Sequence, residues 1–84
     1  MQQFQVTLYN AAGINTNSVV VTARDEETAQ VAAECSYGPQ FVAGDVTNVW
    51  PAGTIYGGLD ASESTDEDVA YMRDVIAARR ALAA

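Results

Sequence analysis

The stretch QFQVTLYNAAGINTNSVVVTARDEETAQVAAEC, residues 3–35, carries two periodicities in succession. Phe4, Val6 and Leu8 alternate with Gln3, Gln5, Thr7 and Tyr9, the period of two expected of a half-buried strand. Asn10 to Gly13 and Asn15 to Asn17 supply turn chemistry, because Asn and Gly tolerate positive φ. Ser18 to Ala23, rich in valine, reads as the second strand of a long hairpin. Then the period changes. Asp25 is a good N-cap, and Glu26 and Glu27 fall in a first turn where the helix dipole favours anions. Ala29, Val31, Ala32, Ala33 and Cys35 make a small apolar face that lets a helix lie close on a sheet. Gly38 and Pro39 end that helix, and Tyr37 is expected to close the core there.

Working outward, Phe41 to Ala43 and Val46 to Trp50 read as extended segments parted by Gly44-Asp45. Pro51 to Gly53 reads as a turn, and residues 45–50 and 54–57 are expected to pair as a second hairpin ahead of Gly57-Gly58. A last helix is expected from about residue 65 to 81, with Val69, Met72, Val75, Ile76 and Leu82 as its buried stripe and Tyr71 and Ala78 on the flank. The expected architecture is a single α+β domain over residues 1–84: an antiparallel sheet of about four strands in ββαββα order, with two helices packed on one face. Val6-Thr7 and Val46-Thr47, like Ala12-Gly13 and Ala52-Gly53, recur at an offset of 40 and raise a duplicated ββα unit.

Charge narrows the partners. Eleven acids face four arginines, with no Lys and no His, for a net charge of −7. Nucleic acid and anionic membrane both need clustered cations, so neither is an expected direct partner; a basic surface on another macromolecule fits the sign, as does plain solubility. Residues 1–23 hold no charged side chain, and an uncharged strand at a sheet edge invites pairing with a second copy. The leading MQQFQVTLYN has neither a basic n-region nor an apolar h-region, and no apolar run approaches the ~20 residues that span a bilayer. With Cys35 as the single cysteine, a reduced thiol in a bacterial cytoplasm is the expected setting.

The segment LDASESTDEDVAYM, residues 59–72, packs five carboxylates into nine positions: Asp60, Glu63, Asp66, Glu67 and Asp68. Read as a calcium loop from Asp60, it places Thr65 and Tyr71 where the EF-hand pattern needs Gly and a bidentate Glu. Read as a helix start, Ser64 and Glu67 form a capping box, and Asp66, Glu67 and Asp68 sit against the positive end of the dipole. That accounts for three of the acids and leaves Asp60 and Glu63. Read as charge mimicry, the run imitates phosphate spacing and occupies a basic groove.

Catalysis is poorly provided for. Without His, the usual general base and commonest metal ligand are missing, and neither a Ser-His nor a Cys-His pair can form. Cys35 lies well inside its helix, where nothing lowers a thiol pKa, so it reads as a packing residue. One cysteine builds no zinc site, and Gly57-Gly58 is not followed by the Lys of a phosphate loop. No enzyme activity, cofactor or metal is expected. Trp50-Pro51 at a bend, with Tyr56 across it and Phe41 nearby, is a candidate aromatic patch, set against Trp50 as a core residue.

The strand-to-helix stretch SVVVTARDEETAQVAAE, residues 18–34, resembles small proteins of bacteriophages and mobile elements. More broadly, residues 4–35 resemble the small acidic α+β inhibitors among the anti-CRISPR proteins. The resemblance carries no catalytic or binding motif. It implies a non-enzymatic protein that binds a host complex and blocks its nucleic-acid site. The function expected is an acidic protein-binding module using Asp60, Glu63, Asp66, Glu67, Asp68, Trp50 and Tyr56. The alternative is an assembly protein that forms a homodimer through its uncharged hairpin.

Overall fold

The computed structural model describes residues 1–10, 12–38 and 40–83. Six elements follow one another: β1 (Gln2–Tyr9), β2 (Asn15–Ala23), α1 (Glu26–Tyr37), β3 (Val42–Pro51), β4 (Leu59–Asp60) and α2 (Asp66–Ala83). The chain is α+β, with one four-stranded sheet in the order β3-β1-β2-β4 and two helices.

The alternation in β1 does what its period demands. Phe4, Val6 and Leu8 are buried beneath α1 with Val21, Ala23, Ala29, Ala32 and Ala33. Asn10 builds the hairpin turn, its side-chain oxygen accepting from the N–H groups of Ala12 (3.0 Å) and Ile14 (3.1 Å). The Asn15 to Asn17 stretch expected in the turn belongs instead to β2, whose register with β1 runs unbroken from Gln2 opposite Ala23 to Leu8 opposite Asn17. Helix α1 starts as its sequence dictates: Asp25 accepts from the Thr28 N–H at 2.8 Å, and Gly38, at φ 102°, caps the other end. Pro39, expected to help end it, lies outside the described residues, as does Ala11 of the expected turn. Tyr37 closes that end of the core edge-on to Phe41, ring centres 6.0 Å apart.

The second half departs from expectation. Residues 42–51 form one bulged strand through Gly44-Asp45, and it pairs with β1, not with residues 54–57. The expected second hairpin does not form. The chain leaves β3 at one edge, crosses to the other, and adds the two-residue β4 parallel to β2. The sheet is therefore mixed rather than antiparallel, and of the two uncharged strands β1 is central, flanked by β3 and β2. The two ββα segments are built differently, since β1 and β2 are neighbours while β3 and β4 are not.

Gln3 explains the crossing. Its side chain points away from α1 and is only 3% exposed. The amide donates to the Ile55 carbonyl (2.8 Å) and its Oε1 accepts from the Ile55 N–H (2.8 Å), imitating a strand neighbour and fastening the loop across the open face. Gly58, at φ 87°, then passes so close to the Val20 carbonyl that a Cβ would overlap it.

Helix α2 rests on α1 rather than on the sheet. Val69, Ile76 and Met72 meet Val31 and Cys35, and Met72 also reaches the main core. The helices run parallel, because Arg73 pairs with Glu27 and Arg80 with Glu34, one heptad further along both. Leu82, expected in the buried stripe, is 89% exposed, and Val75 is half-buried. Among the described residues, no helix is long and apolar enough to cross a membrane.

Candidate functional site

Parallel helices set both acidic first turns side by side. Asp25, Glu26 and Glu27 of α1 lie beside Asp66, Glu67 and Asp68 of α2, linked through Arg24, which pairs with Asp66 and with Asp25 at 3.5 Å. Asp60 joins them because β4 pairs with Val21 and Thr22, just before Arg24, and Glu63 follows in the turn into α2. Eight of the eleven acids thus share one end of the molecule. Sequence reasoning found five of these; Asp25 was visible only as an N-cap, and Glu26 and Glu27 only as dipole partners of their own helix, since nothing local signals that two helices run parallel.

Several of these carboxylates have structural work. Thr65, not Ser64, is the N-cap of α2: its Oγ1 accepts from the Asp68 N–H at 3.3 Å, and Asp68 accepts from the Thr65 N–H at 2.9 Å. The capping box is therefore Thr65 with Asp68, one residue later than Ser64 with Glu67. Asp60 makes a tight turn, accepting from the Ser62 hydroxyl (2.5 Å) and N–H (3.0 Å), which in that order hold its carboxyl below the usual carboxylate range. The Thr28 hydroxyl, then its N–H, does the same for Asp25. Asp66, in turn, raises Arg24 above its ordinary value through their hydrogen bond. Among the described residues, Glu26, Glu63 and Glu67 make no ion pair or side-chain hydrogen bond at this end.

All four arginines are committed to holding α2. Arg24 ties its start, Arg73 and Arg80 bridge to Glu27 and Glu34, and Arg79 donates to the Cys35 carbonyl at the negative end of α1. Arg80 also donates to the Phe41 carbonyl at 3.2 Å, and Glu34 accepts from the Ala43 N–H at the same distance. Between the two rungs lies a shallow groove of about 230 Å³ lined by Val31, Glu34, Arg73, Ile76, Ala77 and Arg80, its cations already paired with acids.

The aromatic candidates neither gather Phe41 and Trp50 into one patch nor place Trp50 in the core, where the alternative reading put it. Phe41 packs on the helix side of the core, while Trp50 stands opposite Gln3 on the other face, half-buried and outside the core. Tyr56, 97% exposed, follows the residue that Gln3 grips. Trp50 and the crossing loop do reach the same end as the acids, because the end of β3 and the end of β2 both pair with the start of β1. No three metal-binding side chains converge among the described residues. Cys35 is a half-buried free thiol packed against the α1–α2 contact. No protein family, curated protein or solved structure matches the chain.

Proposed function

We propose that the protein is a non-enzymatic binding module that presents its acidic end to a basic surface of another protein or protein–nucleic-acid complex. The observation that supports this reading is the partition of charge: every arginine is engaged with the helix pair, and eight carboxylates share one end. A cation-rich groove meets there a field of one sign on a rigid frame, which steers encounter and favours that orientation. In a phage-type inhibitor, this end occupies the groove that nucleic acid would fill. Trp50 and Tyr56, on the sheet side of the same end, supply apolar contact at the border.

The test separates structural acids from binding acids. Glu26, Glu63 and Glu67 are the ones to neutralise, because Asp25, Asp60, Asp66 and Asp68 maintain caps, turns or ion pairs. A pull-down from bacterial lysate with wild type and with the E26Q/E63Q/E67Q variant is expected to recover a basic protein with wild type alone, while both melt together. Equal recovery by both refutes the reading.

A further inference from the structure

The loop that crosses the open face of the sheet is pinned on both sides of Tyr56. Before it, Thr54 closes a turn on the Pro51 carbonyl, donating from its N–H (3.2 Å) and its hydroxyl (2.6 Å). Gln3, buried in the sheet, then holds both the N–H and the carbonyl of Ile55 at 2.8 Å. After it, Gly58 sits tight against the Val20 carbonyl, and Leu59 pairs at once with Val21. Only Tyr56 and Gly57 lie between the two anchors, and the chain turns there through Gly57 and Gly58 at φ 90° and 87°.

The side chain at this tip is unused by the fold. Tyr56 is 97% exposed, more than any other large apolar residue among those described, and makes neither a side-chain hydrogen bond nor a ring contact with them. An exposed ring on a backbone that is already fixed is a preorganised anchor, because little loop entropy remains to be lost when a partner arrives.

Its surroundings decide what it anchors. A ring that fills an apolar pocket acts within a patch of neighbours that exclude water. Thr54, Gly57, Gly58 and Asp60 are exposed and offer no such surround. The face of the tyrosine ring is negative and attracts cations, and a guanidinium, planar and weakly hydrated, stacks on it well. Asp60, the first acid of the charged end, follows after four residues, so at most about 14 Å of chain separates the two. The protein's own arginines do not compete for the ring, since each is engaged with the helix pair.

We infer that Tyr56 receives an arginine side chain of the basic partner on its ring face, while the acids beside it take neighbouring cations. This rests on the binding function proposed above and adds what a field of one sign lacks. Charge steers the encounter, and a guanidinium seated on a fixed ring sets the register.

Octa-arginine, titrated into the intact chain at about 0.1 M salt and followed by nitrogen–proton NMR, supplies a defined basic probe. The Tyr56 and Gly57 signals are expected to shift together with those of Glu26, Glu63 and Glu67. Tyr56→Phe keeps the ring and is expected to bind within about twofold of wild type. Tyr56→Leu keeps apolar bulk without the ring and is expected to bind at least about threefold more weakly, with an unmoved melting curve. Unshifted Tyr56 and Gly57 signals, a Tyr56→Leu protein that binds as wild type does, or a Tyr56→Phe protein that loses as much as Tyr56→Leu would each overturn the inference. The E26Q/E63Q/E67Q variant is expected to flatten the salt dependence and Tyr56→Leu to leave it as in wild type, so this inference and the charge reading fail separately.

Discussion

Replacing Gln3 by Leu removes the side chain that grips the Ile55 backbone in the crossing loop while keeping its bulk. Two 2.8 Å hydrogen bonds to the Ile55 backbone are lost, at a site only 3% exposed. At about 1 kcal/mol net for each bond, and about 1–3 kcal/mol for each buried backbone group left without a partner, the loss is about 2–4 kcal/mol. The lower figure applies if the loop lifts and water takes over. Urea denaturation measures the change, and exchange of the Ile55 amide locates it. Gln3→Glu sharpens the test, because it keeps the acceptor, loses the donor and buries a carboxyl. Burial raises that carboxyl's folded pKa above its unfolded value of about 4.3, so the penalty is absent below pH ~4 and grows as pH rises. A Gln3→Leu protein with unchanged stability and a still-protected Ile55 amide would refute the role given to Gln3.

The capping assignment is checked by alanine: Thr65→Ala and Asp68→Ala are each expected to lower stability by about 1 kcal/mol in thermal melts, and Ser64→Ala by only a few tenths. Arg80→Met is expected to destabilise more than Arg73→Met in the same assay. It leaves Glu34, whose side chain is 16% exposed, without its cation and the Phe41 carbonyl without its donor, whereas Glu27 stays solvated. Asp25 and Asp60 have folded pKa values depressed by hydrogen bonds to the charged form. Their stabilisation is therefore present above the ordinary carboxylate range near pH 4 and is lost as pH falls through the folded values. Acid unfolding followed by circular dichroism is expected to lose part of that dependence in Asp25→Asn.

The first half of the fold was legible because its signals are local. The alternation from Gln3 to Tyr9 and the Asp25 cap specify β1, β2 and α1 with no long-range information. The second half was not, because its pairing is decided far along the chain. Thr54, Ile55 and Tyr56 have the composition of a strand, but Gln3 claims the Ile55 backbone, and Gly57 and Gly58, both at positive φ, carry the chain onward to β2. Ser64 and Thr65 are both good caps, and only the bond geometry places the box one residue later. The α2 stripe was misread at Leu82 because periodicity marks an apolar flank without saying whether anything lies against it. The acids of residues 60–68 were found as a cluster, yet their union with Asp25, Glu26 and Glu27 depends on two helices running parallel.

The account rests most on the acidic end acting by charge, and the salt dependence of binding reaches that claim directly. With the recovered partner purified, affinity is measured by calorimetry at rising ionic strength for wild type and for E26Q/E63Q/E67Q. Exposed charges are increasingly screened as the Debye length shrinks from about 10 Å at 0.1 M salt to about 3 Å at 1 M. Wild-type affinity is expected to fall steeply with salt, and the variant to bind at least about tenfold more weakly at low salt and with a shallower dependence. Binding that ignores salt, or that survives the loss of all three carboxylates, would contradict it.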